Sequence, residues 1–406
     1  MKVMKTGISY EEAKQILLSL TEPVEVETID LDQCYGRVIS ENIVALENVP
    51  SFDRSPYDGY AVRACDTVRA DQKPVVFNIK EYIAAGYHPE KLIGKGEAAR
   101  IMTGGEIPKG ADAVIMQEKV SAEEGTVTLF NELSPGENII YAGEDVHAGE
   151  ILASKGSIID PGLAGAMAAQ GITSPKVFRR PVIGLISVGN ELVEPEVNAE
   201  GPIIRDTNRT ILTSAILKNR CIPRFIGTAK DDVGSIAGLL KEGLRDCDMV
   251  LLTGGVSVGD LDLTPTAMKN IGCQLLVKGI KIKPGMACCY GISENKLVCG
   301  LSGNPAAAFT NFCMVILPVL RKLAGQYPFE TAMFPITLIN SFPKASGSTR
   351  ILRGTLDLSD GTCRMKIFEN QGNIVIRSAI GCDVMAEIPP GSGPIKAGTV
   401  LNGFLI

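Results

Sequence analysis

The chain contains no tryptophan, only the two histidines His88 and His147, and just 5% aromatic residues. So few histidines leave little room for histidine-built zinc chemistry, and any metal work falls to oxygen ligands. No Cys-x-x-Cys occurs among the eleven cysteines, which are scattered from Cys34 to Cys382. An odd, unclustered set argues for reduced thiols in the cytoplasm over a disulfide framework. Long apolar runs are missing too. The most apolar stretch, 312–320, is interrupted by Pro318 and falls short of the ~20 residues a membrane span needs. The N-terminus, Met-Lys-Val-Met-Lys-Thr-Gly, lacks the apolar core of a signal peptide. Excess positive charge is absent as well: the net charge is −6. That leaves no electrostatic footprint for nucleic acid and argues against a general polyanion binder, so an anionic ligand must be met by local cations.

What is present suggests several domains. A length of 406 residues corresponds to two to four, at roughly 100–200 residues each. A 45% hydrophobic and 21% charged composition is ordinary for globular protein. Ser9-x-x-Glu12 is a capping box, with Ala13, Ile16, Leu17 and Leu20 at helical spacing behind it and Pro23 beyond. Residues 50–175 read as short strands broken by glycine and proline (73–82, 98–102, 113–118 and 126–131), a β-rich, barrel-like region with a helix only at 162–170. From Arg180 the pattern alternates: strand 182–188, helix 208–219, strand 224–227, helix 233–245, strand 249–252, helix 264–271, strand 297–301 and helix 306–323. Such alternation predicts a mostly parallel sheet with helices on both faces. Strands and turns return after Gly325. The fold class is α/β plus β: a three-layer αβα domain at 179–326, a β-rich barrel-like domain at 51–140, an N-terminal helical segment, with 1–50 and 141–178 forming a linker or dimerisation domain, and a small C-terminal β domain at 327–406.

The densest signal for chemistry is Leu251-Leu252-Thr253-Gly254-Gly255-Val256-Ser257-Val258-Gly259, followed by Asp260 and Asp262. Glycines at a strand end let backbone amides approach an anion with no Cβ in the way. Carboxylates just beyond suit the hard cation that accompanies phosphate. Ligands of open α/β sheets sit at the carboxyl ends of the strands. Gly189-Asn190-Glu191, Asp231-Asp232 and Ser302-Gly303-Asn304 fall at such ends too. Each has a plainer alternative. Asp231-Asp232 and Asp262 can cap the helices that follow, Asp58-Gly59 can be a hairpin turn, and Asn304-Pro305 can be a helix start.

Taken in order, these motifs resemble the molybdopterin molybdenumtransferase family over nearly the whole chain. The resemblance rests on Ser51-Phe52-Asp53-Arg54-Ser55-Pro56-Tyr57-Asp58-Gly59-Tyr60-Ala61-Val62-Arg63, Met102-Thr103-Gly104-Gly105, Gly143-Glu144-Asp145, Gly189-Asn190-Glu191-Leu192, Asp206-Thr207-Asn208, the glycine corner, Lys283-Pro284-Gly285 and Leu301-Ser302-Gly303-Asn304-Pro305. It implies a cytoplasmic homodimer of four-domain subunits that inserts molybdate into adenylylated molybdopterin and releases AMP with Mg²⁺, with a molybdopterin adenylyltransferase as pathway partner and neither nucleic acid nor membrane as partner. It assigns Glu191, Asp231 and Asp262 to the nucleotide and metal, and Gly254, Gly255 and Ser257 to phosphate. Asp58, Thr103 and Asp145 would reach in from the partner subunit. Lys283 and Arg353 would face anions, and Ser302, Asn304 and Pro305 would contact substrate.

The chain departs from the family pattern mainly where the oxyanion is expected. Met286-Ala287 replaces a Lys-Pro, Ser302 replaces a proline, Asn190 an aspartate, and Gln371-Gly372-Asn373 a glycine-serine segment. Arg377, with Arg54, is the candidate to restore the charge lost at Met286. Three other readings stay open: a paralogue using tungstate or another oxyanion, a molybdopterin-binding scaffold without transferase activity, and an adenylyltransferase acting one step earlier.

Overall fold

A computed structural model describes residues 3–198, 200–256 and 263–406, so Ser257, Asp260 and Asp262 lie outside the described residues. The chain divides into two compact units, one of Met1–Glu41, Lys155–Asp160 and Ser174–Ile406, the other of Asn42–Ser154 and Pro161–Thr173.

The first unit is built on a seven-stranded sheet in the order Lys5–Ile8, Gln274–Ile280, Cys288–Ser293, Lys296–Leu301, Met249–Thr253, Val182–Val188, Ile222–Ala229. The last four strands are parallel, and Cys288–Ser293 runs antiparallel to both neighbours. Met249–Thr253 is buried along its length, which is why it reads as an unbroken apolar run. Leu251 packs on one face with Leu212, Ile216 and the first helix. Val250 and Leu252 pack on the other with Ile236, Leu240 and Met268. These are the two outer layers of the expected three-layer architecture.

Sequence periodicity passes over the Gln274–Ile280 and Cys288–Ser293 strands. Gly279, Gly291 and paired cysteines give them a weak strand signature, and what makes them strands is their pairing. Of the N-terminal segment expected to stand with 141–178, Val26–Thr28 and Val38–Ile39 do pair with Lys176–Phe178, and Ile43–Val44 with Ile151–Ala153, whereas the first strand and helix are built onto this sheet. Lys5–Ile8 pairs in parallel with Gln274–Ile280. The helix Tyr10–Leu18 starts where Ser9 Oγ accepts from Glu12 N at 3.1 Å, and Tyr10, Ala13, Leu17 and Leu18 enter the core.

The run Pro305–Leu323 is apolar and long enough to cross a membrane by composition, yet 78% of its most apolar window is buried inside the protein. It is a core helix. A π-helical segment, Phe312–Ile316, precedes Pro318, a local widening of the kind that accommodates a residue with no N–H.

The closed barrel lies at the C-terminus, not at 51–140. Thr349–Asp357 pairs with both Arg364–Ile367 and Val384–Ile388, and Phe334–Leu338 and Val400–Leu405 complete a five-stranded ring. In the second unit, six strands order as Ala113–Met116, Gly59–Val62, Glu97–Ile101, Val75–Ile83, Thr126–Leu129, Val120–Glu123. The first and last of these do not pair with each other among the described residues, so this sheet is open.

Candidate functional site

A cavity of about 540 Å³ opens at the carboxyl ends of the parallel strands, lined among others by Glu191, Asn208, Asp231, Thr253, Gly254 and Gly255. The glycine pair is dictated by backbone geometry. Gly254 has φ +90° and Gly255 φ +62°, the left-handed region where a Cβ is strained. A Cβ on Gly254 would sit 2.2 Å from Val188 O, and one on Gly255 2.7 Å from Thr264 Oγ1. Gly254 does not offer its amide to a phosphate as the sequence suggests, because that N–H donates to Leu301 O at 3.1 Å. Both glycines nevertheless line the cavity, with Gly189 and Gly303.

Glu191 and Asp231 both face solvent, and neither forms an ion pair among the described residues. Asp231 and Asn190 exchange hydrogen bonds across neighbouring strand ends: Asn190 N donates to Asp231 Oδ2 at 3.1 Å, and Asp231 N to Asn190 Oδ1 at 3.2 Å. Asp232 takes the plainer role, capping Val233–Asp246 by accepting from Ser235 N at 2.8 Å. The third expected metal carboxylate, Asp262, is outside the described residues. Among those described, no group of three or more His, Cys, Asp or Glu side chains is placed to hold a metal.

The Ser302-Gly303-Asn304 turn joins this cavity to a second cluster. Gly303 leans on the glycine corner, where a Cβ would lie 3.5 Å from Gly254 Cα. Asn304 N donates to Ser302 Oγ at 3.2 Å, and the helix Pro305–Asn311 begins there. Three distant segments meet that helix. Ala307 N donates to Asn373 O at 3.2 Å, and Asn311 Nδ2 donates to Gly285 O at 3.1 Å. Arg353 donates through Nη1 to Thr310 Oγ1 at 3.4 Å. The Lys283-Pro284-Gly285 turn, the Ser302–Pro305 turn and the Gln371–Asn373 segment are thereby drawn together around one short helix.

Arg353, expected to face anions, has neutral oxygen partners among the described residues. It is 0% exposed, and besides Thr310 it donates to Ser378 Oγ at 2.8 Å and Gly372 O at 3.2 Å. Its partners are neutral oxygens, and burial pushes its pKa down to about 10. Lys283 and Arg377 are exposed. Arg377 lines a cavity of about 480 Å³ with Phe368, Glu369, Asn370, Val375 and Ser378, so the Ser378 hydroxyl lies between the buried guanidinium and that cavity.

In the second unit, three sequence motifs are laced together. Asp53 Oδ1 accepts from Ala142 N at 2.8 Å. Ser55 N donates to Gly105 O at 2.9 Å and Gly104 N to Ser55 O at 2.8 Å. Asp58 Oδ1 accepts from Thr103 N at 2.7 Å and Thr103 Oγ1 at 2.8 Å. The Thr103 amide, then its hydroxyl, hold the Asp58 carboxyl below its ordinary range. Asp145 is exposed on the turn whose Asp145 N donates to Val49 O at 3.0 Å.

Sequence reasoning gave no role to Asn208, Thr310, Asn311 or Ser378. Only Asn208 lay within a noted motif. The others are single polar residues in apolar or turn contexts, and their roles emerge from contacts across the fold.

Comparison with known proteins gives two matching family models: "MoeA N-terminal region (domain I and II)" over residues 8–171 and "Probable molybdopterin binding domain" over residues 184–322. The molybdopterin molybdenumtransferase of Staphylococcus aureus is 34% identical over 404 residues, covering 99% of this chain and 96% of that protein. The protein of that name from Staphylococcus epidermidis matches to the same extent. Among solved structures, the molybdopterin biosynthesis MoeA protein of Pyrococcus horikoshii superposes with TM-score 0.85 at 30% identity, covering 98% of this chain and 100% of that one. A molybdenum cofactor biosynthesis protein of Pyrococcus furiosus, 21% identical with TM-score 0.60, covers 98% of this chain and 100% of its own, and shares the fold.

Proposed function

Because the chain belongs to the molybdopterin molybdenumtransferase (MoeA) family of enzymes, we propose that it inserts molybdate into adenylylated molybdopterin, with Mg²⁺-dependent cleavage of the phosphoanhydride and release of AMP. The observation that carries this reading is the junction at Gly303. It places the cavity lined by Glu191 and Asp231 against the turn whose helix also gathers Gly285, Asn373 and Arg353. A nucleotide tail and an oxyanion handled at one centre need such adjoining compartments.

The donor set on the nucleotide side fits Mg²⁺. Glu191 and Asp231 supply hard oxygens, the ligands this ion takes, and no imidazole or thiolate occurs among the described lining residues. Bound there with Asp262, the ion would neutralise phosphate charge. The remaining work falls to the chain itself. Gly255 lets the ligand approach the backbone, Thr253 presents a hydroxyl, and the Asn190 pair holds the Asp231 carboxylate in place. On the oxyanion side, Lys283 and Arg377 face the solvent, and Ser302, Asn304 and Pro305 form the turn between the compartments. One unit charge pair at ~4 Å and an effective dielectric near 20 is worth about 4 kcal/mol before desolvation, so each cation matters to a dianion.

We further place Asp58, Thr103 and Asp145 in the active site of a partner subunit in a cytoplasmic homodimer. Support comes from exposed carboxylates held by neighbouring motifs and from eleven free thiols, most of them buried. The test is incubation with adenylylated molybdopterin, Mg²⁺, and molybdate or tungstate. AMP release that depends on molybdate supports the transferase. ATP consumption with free molybdopterin would instead mark an adenylyltransferase, and equal response to tungstate a different oxyanion preference.

A further inference from the structure

We propose that Asn208 is a specificity-determining residue of the strand-end cavity, its side-chain oxygen accepting a hydrogen bond from an O–H or N–H group of the bound ligand. The inference rests on the reading of that cavity as the binding site for adenylylated molybdopterin.

The position of Asn208 is set by the strand beside it. Asp206 caps the helix Thr207–Lys218, with Oδ1 accepting from Arg209 N at 3.0 Å. Its other oxygen accepts from Ser187 Oγ on the Val182–Val188 strand. This double tie docks the first turn of the helix at the strand end and puts Asn208 on the cavity wall. Asn208 is only 7% exposed.

The amide orientation follows from its neighbour. Nδ2 donates to Gly303 O at 2.8 Å. A carbonyl only accepts, so the NH₂ must face Gly303 and the carbonyl oxygen must face away. That oxygen, Oδ1, is buried and has no hydrogen-bond partner among the described residues. Buried polar atoms are nearly always satisfied, and one left over on a cavity wall marks where a ligand atom belongs.

The surrounding chemistry narrows the ligand atom. Among the described lining residues the charged groups are the carboxylates of Glu191 and Asp231, with no lysine, arginine or histidine. A bare anionic oxygen against Asn208 Oδ1 would meet an acceptor with an acceptor. A hydroxyl or amine satisfies it. On an adenylylated pterin such donors are the ribose hydroxyls, the adenine amine and the pterin amine.

Binding of wild-type protein and of Asn208→Leu is compared for AMP, 2′-deoxy-AMP, 3′-deoxy-AMP, inosine monophosphate, pterin and its 2-oxo analogue lumazine, by calorimetry with Mg²⁺ present. In wild type, the member of one pair that lacks the donor should bind about tenfold more weakly. In Asn208→Leu that discrimination should vanish, while the analogue already lacking the donor binds unchanged. The pair that shows the effect identifies the source of the donor. A wild-type protein that binds all members of both series within twofold overturns the inference without recourse to the variant. So does a variant that weakens every ligand by one common factor, because that reports general distortion. Failure of wild-type protein to bind either AMP or pterin would count against the underlying functional reading, whereas binding without donor discrimination counts only against Asn208. A thermal melt of unliganded Asn208→Leu checks that it folds.

Discussion

Asn190 and Asp231 lock the ends of adjacent parallel strands to each other, each backbone N–H donating to the other's side chain at 3.1 and 3.2 Å. Since Asn190 uses its oxygen, Asn190→Asp keeps both bonds and adds a carboxylate next to Asp231. The expected outcome is tighter Mg²⁺ dependence of nucleotide binding, read as a lower Mg²⁺ concentration at half-effect. Asn190→Ala loses the acceptor and should cost on the order of 1 kcal/mol in stability, with weaker AMP binding measured by calorimetry.

The glycine corner predicts a steric result. Alanine at Gly254 must adopt φ +90° and place its Cβ 2.2 Å from the Val188 carbonyl oxygen, a backbone atom that cannot swing aside. Gly254→Ala should destabilise by more than about 2 kcal/mol and abolish AMP binding. A variant with unchanged melting temperature and affinity would show that the turn has a different geometry.

Oxyanion handling should depend on Arg377 separately from the nucleotide. Arg377→Ala is expected to reduce molybdate-dependent AMP release at least tenfold and leave AMP affinity unchanged. Unchanged molybdate dependence would reject the idea that this residue makes up for the charge missing at Met286. Arg353→Met removes a guanidinium buried among neutral oxygens. By releasing Gly372 O and the Ser378 hydroxyl beside the Arg377 cavity, it should reduce molybdate-dependent AMP release, while a circular dichroism spectrum like that of the wild type shows the fold retained.

Stability at acid pH should reflect Asp248. Burial opposes its ionisation, but Arg179 donates to both oxygens at 2.6 Å and Val182 N donates at 2.8 Å. The net effect holds the carboxyl below its ordinary range. A depressed acid contributes stability above its unfolded pKa, roughly 3.9, and loses it as pH falls through the folded value. Asp248→Asn should therefore lower the melting temperature at pH 7 by an amount matching about 1–3 kcal/mol and converge on wild type near pH 2. A difference independent of pH would contradict this.

Much of the α/β layer could be read from sequence because local rules and global packing agree there. Ser9 and Glu12 mark a helix start that Ser9 Oγ makes real, and the 182–188 run is the strand Val182–Val188. Gly254 and Gly255 signalled a turn whose positive φ values require them. Other features depend on partners remote in the chain. Arg353 looks like a surface cation until Thr310, Ser378 and Gly372 close around it. The Cys288–Ser293 strand owes its existence to two antiparallel neighbours. Asn208 carries meaning only because Gly303, nearly a hundred residues on, dictates which way its amide points.

On the proposed reading, the strand-end cavity binds the nucleotide through a metal held by Glu191 and Asp231. The most direct test of that reading is calorimetric titration of AMP into wild-type protein and into the double variant Glu191→Gln/Asp231→Asn, each with and without Mg²⁺. Mg²⁺ should tighten AMP binding to wild type at least tenfold and leave the double variant unmoved. An AMP affinity that ignores both the ion and the two carboxylates would contradict the account.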